Sequence, residues 1–193
     1  MTAQNFSQKK SQTLELIEIA ARNNISLIQI REKKLSARLV FEIARAAVKI
    51  TQNTGTKLLV NDRADIALAA NADGVHLTAR SLSAGAIRRA FPKDFIIGVS
   101  THTIEEAGNA KNQTADFVTF SPIFSMPNKD KFQGIENLRE VCEKLKPFPV
   151  IALGGIDETN YKSVLENGAS GFAAIRFLND AENIRKFSTD KHR

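Results

Sequence analysis

The chain has 193 residues, 42% of them hydrophobic, which is enough for one well-buried domain and not for two. Lys and Arg outnumber Asp and Glu, 27 to 21, for a formal charge of +6, a balance that favours phosphorylated metabolites, nucleic acid or acidic lipid as partners. The cations are scattered in short doublets, and one Tyr with no Trp leaves little for base stacking, which argues against nucleic acid.

The single cysteine, Cys142, excludes an intrachain disulfide, as expected in a reducing cytoplasm. No apolar run reaches membrane-spanning length, and the polar start "MTAQNFSQKKSQ" has no signal-peptide core. The expectation is therefore one soluble cytoplasmic domain over residues 1–193.

In chain order, "QTLELIEIAARNN" has helical periodicity and no clear strand before it, unless a vestigial one lies near Asn5-Phe6-Ser7. Short apolar runs then recur at Ser26–Arg31, Lys57–Asn61, Gly74–Leu77, Phe95–Ser100, Asp116–Ser121, Pro149–Leu153 and Ser170–Arg176. Each is rich in Val, Ile, Leu or Phe, as parallel strands covered on both faces are. Helical segments separate them. The first carries a stripe of Leu39, Val40, Ile43, Ala44, Ala47 and Ile50, with Ser36 as N-cap and Gly55 as stop. Ser83 caps "AGAIRRAF", a hydroxyl opens "THTIEEAGNAKNQT", and "NLREVCEKLK" places Cys142 on a buried helix face. The last segment, "DETNYKSVLENG", is assigned Asp157 as cap and Gly168 as stop. Strict alternation predicts a parallel α/β domain with no sequence repeat beyond the βα rhythm. Seven strands fit a (β/α)8 TIM-type barrel whose first strand is missing or vestigial; an open doubly wound sheet is the alternative. A missing strand would leave an exposed edge, which invites homo-oligomer formation.

Polar residues gather at the C-terminal ends of these runs, where parallel α/β proteins carry their sites. Along "LIQIREK", Leu27, Gln29, Arg31 and Lys33 share one face, and an Arg inside a barrel needs an anion beside it. A bound anion and a structural pair with Glu32 or Asp62 stand level on this strand alone. Asn61-Asp62 reads either as an N-cap or, for Asp62, as a ligand for Mg²⁺ held jointly with substrate phosphates. "VSTHT" places Ser100 and His102 at another strand end. "FSMPNKDKFQG", with Lys129 and Lys131, reads as a surface loop or a phosphate lid, and "IALGGIDETN" as a strand, a Gly pair and a helix start that could receive a phosphate.

Taken together, "QIREK", "VNDRADIALAANADGVHL", "GVSTHTIEEA", "SPIF" with its following lysine, and "PVIALGGI" resemble the thiamine phosphate synthase superfamily, which includes thiazole tautomerases. The resemblance runs from about Thr13 to Leu178. It implies a TIM-type barrel and a transferase of thiamine biosynthesis, joining hydroxymethylpyrimidine diphosphate to thiazole phosphate and releasing pyrophosphate with Mg²⁺. It further implies that Gln29, Arg31, Lys33 and Asn61 hold the pyrimidine diphosphate, that Asp62 binds Mg²⁺, and that Ser100 contacts the diphosphate. Lys129 would contact the pyrophosphate and Gly155 would approach the thiazole phosphate. His102 matches the histidine used by the tautomerases, but synthases carry one there as well.

Growing charge on a departing pyrophosphate suits Arg31, Lys33, Lys129 and Mg²⁺. The chain departs from the family pattern at four positions. Ser81 stands where synthases have a second metal-binding aspartate, Met126 and Asn128 replace two threonines, and Arg176 falls in a pair that supports the thiazole phosphate. A thiazole tautomerase and a non-catalytic binder of phosphorylated ligands are the alternative readings.

Overall fold

The computed structural model describes residues 3–126 and 132–190. Seven strands form one sheet in chain order: β1 (Leu27–Ile30), β2 (Lys57–Asn61), β3 (Gly74–Leu77), β4 (Ile96–Thr101), β5 (Phe117–Phe120), β6 (Val150–Leu153) and β7 (Gly171–Ala173). The pairs β1–β2, β4–β5, β5–β6 and β6–β7 are parallel. Eight helices are described: α1 (Ala3–Arg22), α2 (Ala37–Thr51), α3 (Ala64–Ala69), α4 (Ala84–Ala90), α5 (Ile104–Asn112), α6 (Gly134–Leu145), α7 (Tyr161–Glu166) and α8 (Ala181–Asp190). A doubly wound sheet reverses its strand order at a switch point. An unbroken consecutive order is instead the progression of a βα barrel, and it decides between the two architectures. The residues expected as a vestigial first strand lie within α1, so no strand precedes β1 among the described residues. The Ala, Gln, Lys, Glu and Leu content of that segment favours helix, and Ile17, Ala20 and Ala21 give it a buried face.

The chain divides into two compact units, one reaching to Val75 and resuming at Asn179, the other running from His76 to Leu178. In the first, α1 packs on α2 and α8, and α2 covers β2. Leu58, Leu59 and Val60 of β2 are fully buried, as a strand covered on both faces requires. Val40, Ile43, Ala44 and Ala47 form the buried stripe of α2, and the Ser36 hydroxyl accepts from Leu39 N as its cap. The helix ends at Thr51, before the expected Gly55, because a turn with Thr54 N–H and hydroxyl on Thr51 O closes it early. Helix α8 carried a readable signal, an Asp180 cap followed by apolar Ile184 and Phe187, that the run of strands obscured.

One corner recurs in both units. A helix ends on a residue with positive φ, at Asn24 (56°) and Asn71 (58°) in the first unit and Thr114 (63°) and Gly168 (94°) in the second. The next N–H reaches back five residues, Ile25 to Ala20 O, Ala72 to Ala67 O, Ala115 to Ala110 O and Ala169 to Val164 O, in Schellman fashion. At two corners an aspartate then locks the following strand to its neighbour. Asp73 accepts from Leu58 N and Lys57 Nζ, both at 2.8 Å, and Asp116 accepts from Ile97 N at 2.7 Å. The segments "NADGV", "TADFV" and "GASGF" are thus a short structural repeat that the sequence reading passed over.

Candidate functional site

In the first unit, Gln29 lies on β1 opposite Leu59, and Asn61 ends β2. The Gln29 amide donates to Asn61 Oδ1 at 2.9 Å, and the Asn61 amide donates to Asp62 Oδ2 at 2.7 Å. This is a one-way relay of donors ending on a carboxylate. Asp62 sits at φ 60°, and Arg63 N closes a three-residue turn onto Asn61 O at 2.8 Å. Asp is among the few L-residues that enter this left-handed region readily, because its short polar side chain can hydrogen-bond locally. The N-cap residue of α3 is Arg63, not Asn61 or Asp62, and Arg63 makes no side-chain cap bond. Arg63 itself clasps exposed Asp65, lowering the pKa of that carboxyl through their hydrogen bonds.

Arg31 and Lys33 follow the end of β1 and are exposed, so the expectation of an Arg buried inside a barrel is corrected: β1 stops at Ile30. Of the two carboxylates named as alternatives to a bound anion, Glu32 pairs instead with Lys9 of α1 at 2.5 Å. Among the described residues no salt bridge joins Arg31 or Lys33 to a carboxylate.

In the second unit, Ser100 of β4 is tied into the interior. Its hydroxyl lies 3.4 Å from Nε2 of buried His76 on β3, and Thr119 of β5 lies 3.4 Å from the same atom. Phe117 flanks the imidazole, with ring centroids 5.9 Å apart. The sequence does not single out His76; its burial against strands β4 and β5 distinguishes it.

His102 is exposed and firmly placed. Its Nδ1 donates to Ser121 O at 2.7 Å, its backbone N–H donates to Glu106 at 2.6 Å, and Gln133 donates to its carbonyl. The Nδ1 bond fixes the tautomer, so the neutral ring presents Nε2 as its basic nitrogen.

The glycine pair has a packing reason. Gly154 (φ 103°) and Gly155 (φ 69°) face the segment after β5, and a Cβ on Gly154 would lie 2.7 Å from Pro122 Cα. The expected helix start after the pair is corrected: a turn follows, in which Asp157 accepts from Thr159 and Asn160 donates to Gly155 O. Helix α7 begins only at Tyr161, so Asp157 is not its cap. Ser81 closes a turn by accepting from Thr78 N at 2.8 Å, beside exposed Arg80. Arg176 is exposed and lies beyond β7, which ends at Ala173 instead of continuing to Arg176 as expected. Lys129 and Asn128 lie outside the described residues. Among the described residues no group of three or more His, Cys, Asp or Glu could hold a metal ion, and no helix is long and apolar enough to cross a membrane.

A family model described as thiamine monophosphate synthase matches residues 2–178. The chain is 37% identical over 171 residues to a thiamine-phosphate synthase of Caldanaerobacter subterraneus, covering 87% of this chain and 79% of that protein. It is 42% identical over 165 residues to a putative thiamine-phosphate synthase of Geobacter sulfurreducens, covering 84% and 77%. Its fold matches a solved thiamine phosphate pyrophosphorylase from Pyrococcus furiosus with a TM-score of 0.81 at 29% identity, covering 92% of this chain and 89% of that one.

Proposed function

The chain belongs to the thiamine monophosphate synthase family and is a synthase-like transferase, and we propose that it joins hydroxymethylpyrimidine diphosphate to thiazole phosphate with release of pyrophosphate. The observation that carries this reading is the Gln29–Asn61–Asp62 relay, in the same unit as Arg31 and Lys33, two cations with no salt bridge to a carboxylate among the described residues. In this proposal Gln29 and Asn61 hold the pyrimidine diphosphate and Arg31 and Lys33 offset the charge that grows on its oxygens; the family resemblance assigns Ser100 to the diphosphate and Lys129 to the pyrophosphate. Fixed cations aimed at developing charge lower the barrier without any covalent nucleophile. Gly155 and Arg176 are assigned to the thiazole phosphate.

The donor set fits Mg²⁺, which is usually bound by one or two carboxylates together with substrate phosphates and needs no all-protein cage. Asp62 supplies one carboxylate, and the Asn61 amide holds it in place. When bound, the ion would offset charge on the leaving diphosphate. With a single carboxylate the affinity should be low in the absence of the diphosphate. The lone Cys142 and the soluble substrates accord with a cytoplasmic enzyme.

The test is thiamine phosphate formation by purified chain with both substrates and Mg²⁺. Arg31→Ala and Asp62→Ala are expected to abolish it, and no product above a no-enzyme control rejects the synthase reading. The second reading, a thiazole tautomerase, is favoured by the geometry of His102, whose Nδ1 is engaged and whose ring is exposed. It predicts Mg²⁺-independent conversion of the thiazole carboxylate phosphate tautomer, lost on His102→Ala. Diphosphate binding without either turnover would instead mark a non-catalytic binder.

A further inference from the structure

We propose that Lys9 is a positioning residue that withdraws Glu32 from the two cations on either side of it in sequence, leaving Arg31 and Lys33 free to take a diphosphate. This rests on the reading of Arg31 and Lys33 as diphosphate ligands.

Glu32 is the only acidic residue in "REKK" and stands one residue from each of the two cations, within reach of either if its side chain is not held elsewhere. It turns instead to α1, where Lys9 Nζ meets Oε2 at 2.5 Å, with side-chain exposures of 38% for Lys9 and 19% for Glu32. The pair is partly desolvated and therefore less screened than a surface pair. A second, longer tie, Lys10 to Glu42 at 3.9 Å, joins α1 to α2 and does not involve the β1–α2 turn. Arg31 and Lys33 are left without a salt bridge to any carboxylate among the described residues.

Loss of Lys9 frees Glu32 to fold onto Arg31 or Lys33. One negative charge moved to within about 6 Å of a bound diphosphate weakens its binding about tenfold, at an effective dielectric intermediate between surface protein and water. The structure gives the comparison its control. Lys10→Met removes the same positive charge from the same helix but releases Glu42, which lies on α2 and not in the cation-bearing turn.

The experiment is calorimetry with inorganic pyrophosphate and Mg²⁺ at low salt, on the wild-type chain, Lys9→Met, Lys10→Met, Glu32→Gln and the Lys9→Met/Glu32→Gln double variant. Lys9→Met is expected to weaken pyrophosphate about tenfold, and Lys10→Met and Glu32→Gln to leave it within about twofold. The double variant should recover wild-type affinity, because the freed carboxylate is gone, and the Lys9→Met deficit should shrink at high salt. A generally loosened turn would not be repaired by removing Glu32 as well. An unchanged Lys9→Met, or a double variant as weak as the single one, overturns the inference while leaving the diphosphate reading intact. No pyrophosphate binding by the wild-type chain overturns both. If turnover is measured as well, Lys9→Met should raise KM for the pyrimidine diphosphate with kcat nearly unchanged.

Discussion

Substituting Gly155 by Ala separates a structural demand from a functional one at the Gly-Gly turn. The new Cβ would lie 2.8 Å from Phe124 Cβ and 2.9 Å from Ser125 O, at a backbone φ of 69°. Left-handed backbone costs an L-residue about 1–2 kcal/mol. Forcing a carbon into a packed contact costs about 1–3 kcal/mol more. The sum, about 2–5 kcal/mol, is a large share of the ~5–15 kcal/mol that holds a typical domain together. Urea denaturation followed by circular dichroism should show a lower midpoint at unchanged slope. Trimming Phe124 to Ala should not rescue it, because the contacts are to Cβ and a backbone oxygen that any such variant keeps. A loss of stability under about 0.5 kcal/mol would refute both the close-contact and the strain argument. Activity lost in Gly155→Ala therefore reports on phosphate approach only after the stability loss has been measured.

Gly98→Ala should destabilise through a Cβ placed 2.3 Å from Phe117 Cζ, and here Phe117→Leu should restore part of the stability, because the obstacle is a removable ring; denaturation of both variants and their double checks it. Thr114→Asn should stabilise by about 0.5–1 kcal/mol, since Asn tolerates the left-handed corner that a β-branched residue resists, as Asn24 and Asn71 do in the equivalent corners; a raised melting temperature is the readout. Burial pushes the Cys142 thiol from 9.0 up to about 11, so the fold favours its protonated form. That stability is full below pH 9 and is lost as pH rises toward 11, so the fall in melting temperature over this window should be smaller in Cys142→Ala.

Hydrophobic runs made the strands legible: β2 and β3 were bounded correctly, and the other strand ends differ by residues at the margins. The largest error was β7, extended to Arg176 because "GFAAIRF" stays apolar after Ala173; composition does not record where a strand loses its partner. Helix propensity over Ala3–Arg22 makes α1 where a vestigial first strand would lie. The corners escaped because a Schellman cap depends on backbone sign, and Thr114 occupies the position that Asn and Gly occupy elsewhere. Arg88 shows the same limit. Read as one of a basic doublet, it spends its guanidinium on Thr114 O, Lys93 O, Phe95 O and Asp116. Of the candidate site, residue types at strand ends named Gln29, Asn61 and Asp62, but not that they form a directed relay. Nor could sequence show that Glu32 leaves its neighbouring cations for Lys9, a contact across 23 positions.

The placement of left-handed backbone bears on which of these residues act. Among the described residues four non-glycine positions have positive φ: Asn24, Asp62, Asn71 and Thr114. Three of them end helices, where the left-handed residue lets the next N–H reach back five positions, so the fold accounts for its cost. Asp62 ends no helix. It follows a strand, precedes the N-cap residue Arg63 of α3, and lies in the short turn from Arg63 N to Asn61 O. Left-handed non-glycine residues away from helix ends are enriched where a side chain is held in a set direction. What the turn does here is set the Asp62 carboxylate against the Asn61 amide, at the end of the relay from Gln29. The N-cap position of α3 belongs to Arg63 rather than to the Asn-Asp pair, and the left-handed turn is what brings the Asp62 carboxylate to the Asn61 amide.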